Sequence, residues 1–393
     1  MSGSAEARAG NAVVRDGRSR RAAPDGGRDR YLDLLRAVAL VRVVAYHCFG
    51  GALFGLLFPS MGVMFALAGS LVARSLERRP AAGVLRSRTR RLLLPLWAYA
   101  LTVLALLFWQ GWTPVADDGG SWWSVLLWFL PVADPPYPAS LGDGTGLLGP
   151  GWSYETGVTL WYVRAYFWCV LLSPLLLRAF RALPGPVLPA PLALLAVLEL
   201  DLLSLSVPEA AVAPLWDVAT YGSCWLLGFA HHDGLLRRVP HRVVWTAGPA
   251  VMAAGLWWAL AHADGPGWEL EEFSAAQALW SLGFTAMLLR ISPAWDTLPR
   301  GLRFLDRFVT LLNNRALTVY LWHNLLLVPV WVLLGLLHGV EALGEGVPRL
   351  LGSPLTAFAL LWGLLAVVCP AVGWVEDVAA RRPVRWWPDG RRS

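Results

Sequence analysis

The sequence predicts an all-α polytopic membrane protein with about ten transmembrane helices and both termini in the cytoplasm. Of its 393 residues, 56% are hydrophobic and only 15% are charged, and the mean hydropathy is +0.50. A soluble chain of this length needs many more polar residues to cover its surface, whereas a chain solvated by lipid needs few. The lipid bilayer is therefore the expected environment, and the cell (plasma) membrane is the predicted location.

Ten apolar windows of spanning length follow one another along the chain. They are residues 31–54, 58–77, 92–110, 157–178, 186–206, 214–231, 243–262, 273–291, 312–338 and 354–376. The connections alternate between arginine-rich segments and segments rich in Asp and Glu, with Arg349 as the visible exception. Under the positive-inside rule, an even number of spans with this alternation puts both termini inside.

The segments outside these windows are two tails and one long connection. Residues 1–29 are rich in Gly, Ala, Ser and Arg and contain no apolar block, which predicts a disordered basic cytoplasmic tail. Residues 30–380 are predicted to form one membrane domain, and residues 381–393 a second basic cytoplasmic tail. Residues 111–156 form a long outer connection, in which the short apolar stretch 121–132 predicts a re-entrant or interfacial segment. A connection of that length tends to be functional.

The first span carries ionisable residues that lipid disfavours. Arg36, Arg42 and His47 lie within an otherwise apolar run, and each such group costs at least about 2.5–3.5 kcal/mol near the bilayer centre. Eleven positions separate Arg36 from His47. On an α-helix this spacing brings the second side chain to within about 20° of the face of the first, roughly 16 Å further along the helix axis. The two side chains are therefore expected to line one cavity.

Two intramembrane histidines are candidate catalytic residues. His47 ranks first, because a neutral imidazole can act as a general base on a hydroxyl. The alternatives are a packed histidine hydrogen-bonded to other helices for His47 and snorkelling to the interface for Arg36. His323, one turn after Tyr320, either orients a group in the same cavity or joins two helices.

A basic segment follows the second span. Arg88 and Arg91 are three residues apart, so on a helix they share one face at the inner interface. Guanidinium groups suit phosphate oxygens, which indicates a clamp for a phosphorylated cytoplasmic cofactor. A positive-inside anchor or a contact with anionic lipid is the alternative.

Tryptophan is abundant on the predicted outer side. Trp112, Trp122, Trp123, Trp128 and Trp152 could stack on the face of a sugar, or they could form an interfacial aromatic belt.

Other functions find little support. The four cysteines have neither CxxC nor metal-ligand spacing, so no metal is expected. The loop arginines indicate topology rather than nucleic-acid binding. His231, His232 and His241 are predicted to be solvated in an inner loop.

Five motifs, in order along the chain, resemble the acyltransferase 3 family of integral-membrane O-acyltransferases. They are Arg36 to His47 after Leu-Asp-Leu-Leu, Gly62 to Gly69, Arg88 to Arg91 before a Leu-Pro pair, the helix from Leu160 through Trp161 to Leu176, and Tyr320 to His323. The likeness covers about residues 30–385. It implies transfer of an acyl group, commonly acetyl, from cytoplasmic acyl-CoA to a hydroxyl of a sugar, glycan or natural product.

The resemblance also implies roles for residues. His47 is the expected catalytic base and Arg36 a partner in placing the donor, while His323 is a further catalytic candidate on account of its place in the ninth predicted span. Arg88 and Arg91 are the expected site for the CoA phosphates. The candidates for substrate binding are Trp122, Trp123, Trp161 and Tyr320.

The chain departs from the family in two places: the second helix has Ala66 and Ala68 where Phe, Val or Ser are more usual, and a further motif differs after Trp161. Many members have Ser-x-x-Glu after the tryptophan of the fourth helix, whereas here Trp161 is followed by Tyr162-Val163-Arg164. These departures leave the acceptor class open.

The main rival function is a transporter that exports an acylated or charged metabolite. This function explains Arg36 and His47 but leaves Arg88 and Arg91 without a task. A membrane scaffold is a third possibility.

Overall fold

The computed structural model describes residues 29–115, 121–141, 148–202, 207–263, 265, 267–387 and 390, and within them every regular element is a helix. Nearly all of the predicted N-terminal tail, residues 1–28, lies outside the described residues, as does the C-terminal end, 391–393. So do four acidic residues of the predicted outer connections, Asp117, Asp118, Asp143 and Asp264.

The helices of the first half are α1 Arg30–Phe49, α2 Ala52–Leu57, α3 Ser60–Arg78, α4 Ala81–Trp109, α5 Trp152–Val158, α6 Leu160–Ala182, α7 Pro184–Val187, α8 Ala190–Glu199 and α9 Glu209–His232. Those of the second half are α10 Leu235–Arg238, α11 His241–His262, α12 Ser274–Ile291, α13 Asp306–Asn314, α14 Ala316–His338, α15 Glu341–Gly346, α16 Pro348–Leu351, α17 Pro354–Val372 and α18 Trp374–Ala380. Three 3₁₀ helices cover Trp122–Trp128, Leu270–Glu272 and Arg300–Leu305.

Six helical stretches among the described residues are long and apolar enough to cross a membrane. They are Ala52–Arg78, Ala81–Trp109, Trp152–Ala182, His241–His262, Ala316–His338 and Pro354–Val372. The prediction of an all-helical, multi-pass membrane protein is confirmed at this level. The count of ten and the sides of the termini stay predictions.

Three predicted spans differ from the helices observed. The first is interrupted at Gly50 and Gly51, whose φ angles of 63° and 90° lie in the region that favours glycine, so α1 ends at Phe49. The window 312–338 is divided at Arg315, between α13 and α14. The window 186–206 corresponds to α7 and α8, and the ten residues of α8 are too few to span a bilayer.

Small residues bring α3 and α9 into close contact. A Cβ atom added at Gly69 would lie 2.2 Å from the carbonyl oxygen of Trp225, and one added at Gly228 would lie 2.1 Å from that of Ala66. Glycine at these points lets the two helix backbones approach each other closely, as is common in membrane bundles. Helix α1 packs against α3, α13, α14 and α17, so it lies in the interior of the bundle.

Candidate active site

The start of α1 is fixed by a buried arginine. Arg30 is 1% exposed, and it donates hydrogen bonds to the carboxylates of Asp33 at 2.9 Å and Asp306 at 2.6 Å. A third hydrogen bond, 3.2 Å long, reaches the hydroxyl of Thr310. These contacts set the position of α1 against α13, and they therefore set the direction in which Arg36 points.

A cavity of about 490 Å³ lies beside the first half of α1. It is lined by residues of α1, α3, α4, α6, α13, α14 and α18, together with the segment after α18. Its ionisable lining residues are Arg36, Arg74, Arg88, Arg91, Arg382, Asp29, Asp33 and Glu376. The cavity is thus rich in guanidinium groups, which recognise phosphate and carboxylate oxygens.

The acidic residues of this lining are engaged by neighbouring groups. The carboxylate of Asp33 pairs with Arg30, and that of Asp29 accepts a hydrogen bond from the backbone N–H of Tyr31 at 2.9 Å. Glu376 accepts hydrogen bonds from the backbone and the hydroxyl of Thr318 at 2.7 and 2.5 Å. Five arginines face three carboxylates, one of which is paired with Arg30, so the cavity as a whole is cationic and suits an anionic ligand.

The structure brings the three predicted arginines into this one cavity. Arg36 donates to the side-chain oxygen of Asn313 at 3.3 Å. Arg88 donates to the carbonyl of Leu71 and to the hydroxyl of Ser75, both at 3.1 Å, which ties α4 to α3. Arg91 lies one turn further along α4 and lines the same space.

The two predicted histidines contact each other across α1 and α14. Their ring centroids are 4.8 Å apart, with an interplanar angle of 62°. His323 is fully buried, and its Nδ1 is 2.5 Å from the backbone carbonyl of Tyr320. Because a carbonyl can only accept, Nδ1 carries the proton and Nε2 holds a lone pair. Nε2 is buried and has no hydrogen-bond partner among the described residues.

The prediction that Arg36 and His47 line one cavity is wrong in part. Arg36 contributes to the cavity wall, but the lining on α14 ends at Tyr320, and His47 is not part of it. The Tyr320 ring, which is part of the cavity wall, lies 5.7 Å from that of His323 and 4.9 Å from that of Tyr162, so aromatic rings separate the cavity from His323.

An acidic loop holds the end of α1 that carries His47. Glu271 accepts from Arg42 at 2.5 Å, and Glu269 accepts from the Tyr46 hydroxyl and from the backbone N–H of Gly51, the latter at 2.7 Å. These contacts were not predicted from the sequence. The one indication of them in the sequence is the positive charge of Arg42 inside an apolar span, which calls for an acidic partner.

The candidate tryptophans fall into two groups. Trp122 and Trp123 are 60% and 80% exposed, whereas Trp112, Trp128 and Trp152 are buried in the core, so the suggestion that those three stack on a substrate is wrong. Trp161 is partly buried and stacks on Tyr221, with ring centroids 5.2 Å apart, rather than lining the cavity. Tyr320 does line it.

The position at which the family motif is missing holds a buried ion pair. Arg164 is 5% exposed, and its Nε donates to Asp217 of α9 at 2.7 Å. It also contacts Asp134, which is more exposed. Arg164 therefore joins α6 to α9 and to the connection before α5.

The three histidines predicted in a loop lie in helices instead, and His241 is the first residue of α11. His231 and His232 form the last turn of α9, where they contact Ser70 at 3.2 Å and Glu77 at 3.0 Å. The helix ends at His232, two residues before Gly234, whose φ of 72° turns the chain.

A second cavity, of about 520 Å³, shares α13 and α14 with the first. Apart from Arg315, its lining is apolar, with Phe308, Phe358 and Trp362 among its walls. It lacks the charged groups needed to bind a phosphorylated ligand.

These features define a multi-pass helical membrane protein whose interior combines an arginine-lined cavity with a neighbouring pair of histidines. The chain belongs to the acyltransferase 3 family: the model of that family, described as an acyltransferase domain, matches residues 29–373. No curated protein and no solved structure matches the chain. Membership of this family makes the protein a membrane acyltransferase.

The buried pair of Arg164 and Asp217 supports a stability prediction. Replacing Arg164 by Met leaves Asp217 without its buried counter-charge, whereas replacing Asp217 by Leu leaves Arg164 paired with Asp134, which is half-exposed. We expect the Arg164 change to lower the free energy of unfolding by about 3–5 kcal/mol, the Asp217 change to cost less because Asp134 still pairs with Arg164, and the double change to cost much less than the sum of the two. Thermal unfolding of the purified variants in one detergent measures this, and additive losses would contradict it.

Proposed function

We propose that this chain is an O-acyltransferase that takes an acyl group, acetyl in the simplest case, from cytoplasmic acyl-CoA at the plasma membrane. The acceptor is a hydroxyl of a sugar, a glycan or a natural product. The observation that carries the proposal is the arrangement along α1, where a cationic cavity at one half adjoins a histidine pair at the other. Membership of the family supports the reaction class.

The donor fits the cavity by charge and by length. CoA carries several phosphate groups at one end and its thioester at the end of a long pantetheine arm. Phosphates held by Arg36, Arg88 and Arg91 leave the arm to cover the roughly 16 Å between Arg36 and His47. Access to the histidines then requires the rings of Tyr162 and Tyr320 to move aside.

The chemistry is a direct transfer. His47 removes the proton of the acceptor hydroxyl while its oxygen attacks the thioester carbonyl, so a C–O bond forms and the C–S bond breaks. The proton on His47 then passes to the departing CoA thiolate. General-base catalysis of this kind typically contributes about 10²–10⁴ in rate.

His323 is suited to orient the base. Its Nδ1–H is committed to the Tyr320 carbonyl, so the Nε2 lone pair is free to accept a hydrogen bond from the protonated ring of His47 or from the acceptor. A base that is positioned by a second group is a common arrangement in nucleophilic catalysis. Glu269 holds the same end of α1 through Tyr46.

The test is transfer of labelled acetyl from acetyl-CoA in membranes that contain equal amounts of folded protein. His47→Ala should abolish labelling, and His323→Ala should reduce kcat by about tenfold to a hundredfold, because only the first removes the base. His338→Ala is the matched control, since His338 is exposed at the far end of α14 and should leave the rate unchanged.

Labelling that is equal in the intact protein and in His47→Ala would remove His47 from the chemistry. No labelling by the intact protein, across a range of acyl-CoA donors and hydroxyl acceptors, would favour the transporter.

Donor binding supplies an independent prediction. Arg91→Gln should raise KM for acetyl-CoA by about tenfold or more, because it removes a charge-assisted hydrogen bond to phosphate. Arg88→Gln should act in the same direction, whereas Arg86→Gln should not, because Arg86 is exposed and does not line the cavity. If all three variants had the KM for acetyl-CoA of the intact protein, the cavity would not be the donor site.

We also propose that the exposed pair Trp122 and Trp123 binds the acceptor by stacking, with an interfacial anchor as the alternative. The double change Trp122→Leu and Trp123→Leu should raise KM for a sugar acceptor severalfold and leave KM for acetyl-CoA unchanged. An unchanged acceptor KM would leave the two side chains as an aromatic belt.

A further inference from the structure

We infer that Arg382, in the segment that follows α18, binds a phosphate of the donor. This inference rests on the proposed function, because it assumes that the cavity takes a phosphorylated acyl donor. Sequence reasoning placed Arg382 in a basic tail and assigned it no task beyond topology.

The segment that carries Arg382 is bound firmly to the bundle. Arg315, which is 1% exposed, donates to the carboxylate of Asp377 at 2.7 Å and to the carbonyl of Arg385 at 3.0 Å. The backbone N–H of Arg382 donates to the carbonyl of Asp377 at 2.8 Å. Arg381 has a φ of 54°, which turns the chain back at the end of α18. The backbone of Arg382 is therefore positioned as part of the fold.

The side chain of Arg382 points into the cavity. Its Nη1 donates to the side-chain oxygen of Asn314 at 3.1 Å, and Arg382 is a lining residue together with Arg91. Among the described residues no carboxylate pairs with it, although Asp377 lies nearby in sequence. Its one hydrogen-bond partner is a neutral amide, so its charge is not neutralised.

Like charges meet at this point of the cavity. Arg91 is close enough to Arg88 and to Arg382 for their charges to act on it. Guanidinium groups gathered in one cavity repel each other unless an anion lies between them. A phosphate group is the anion that planar guanidinium forks bind best, because it can accept several of their hydrogen bonds at once.

The direction of the cavity assigns this site to the nucleotide end of the donor. Along α3 the lining runs from Met64 to Arg74, about 15 Å for ten residues. Arg88 donates to Ser75, near the Arg74 end. Tyr320 lies at the Met64 end, because its ring packs on that of Tyr162, which in turn contacts Phe65. The thioester must approach the histidines, so the phosphates lie among the arginines of the opposite end.

The experiment compares two neighbouring arginines. Arg382→Gln should raise KM for acetyl-CoA by about tenfold and leave kcat within about twofold, and Arg382→Lys should give an intermediate KM. Arg381→Gln is the control, because Arg381 is exposed and not part of the lining; it makes the same charge change one residue away.

A second variant provides the test if Arg382→Gln does not fold. Asn314→Ala removes the hydrogen bond that orients Arg382 and should raise KM for acetyl-CoA by severalfold. The inference is wrong, and the proposed function stands, if the intact protein transfers acetyl and Arg382→Gln has the same KM for acetyl-CoA as Arg381→Gln. If Arg382→Gln does not fold, Asn314→Ala takes its place in this comparison. If the intact protein transfers no acyl group from any acyl-CoA, the proposed function fails first.

Discussion

The structure depends on how the charged side chains of α1 are paired. A helix that carries such groups in an apolar setting is stable only when other parts of the chain supply partners. Arg30 pairs with Asp306 at the start of α1, and Arg42 pairs with Glu271 near its end. These two ion pairs fix the position of α1 along its axis and its rotation about that axis. As a result His47 faces α14, where it meets the second histidine.

Much of the site could be predicted because it follows from helix geometry. The spacing of Arg88 and Arg91 put both on one face of α4, and both line the same cavity. The spacing of Arg36 and His47 was a weaker guide, since it fixes a helix face but not what fills the space beside it. The Tyr320 ring occupies that space, and only tertiary packing shows it.

Contacts between distant segments could not be predicted. Glu271 and Arg382 lie far along the chain from the helices they approach, and neither has a local sequence signal. Burial was equally hidden: Trp128 and Trp152 read as interfacial residues, but both are fully buried. The first predicted span also overran α1, because two glycines break the helix without a change in hydropathy. The number of spans is hard to predict from composition, since α1 carries four charged residues within twenty and is not among the six long apolar helices.

The central claim is that one cavity holds the donor while the neighbouring histidines perform the transfer. Its most direct test is an experimental structure of the purified His47→Ala variant, which should not turn over, with saturating acetyl-CoA. The account predicts phosphate density within hydrogen-bond distance of Arg88 and Arg91, and the thioester beside His323. A donor bound elsewhere, or a cavity that stays empty at saturating acetyl-CoA, would contradict the account.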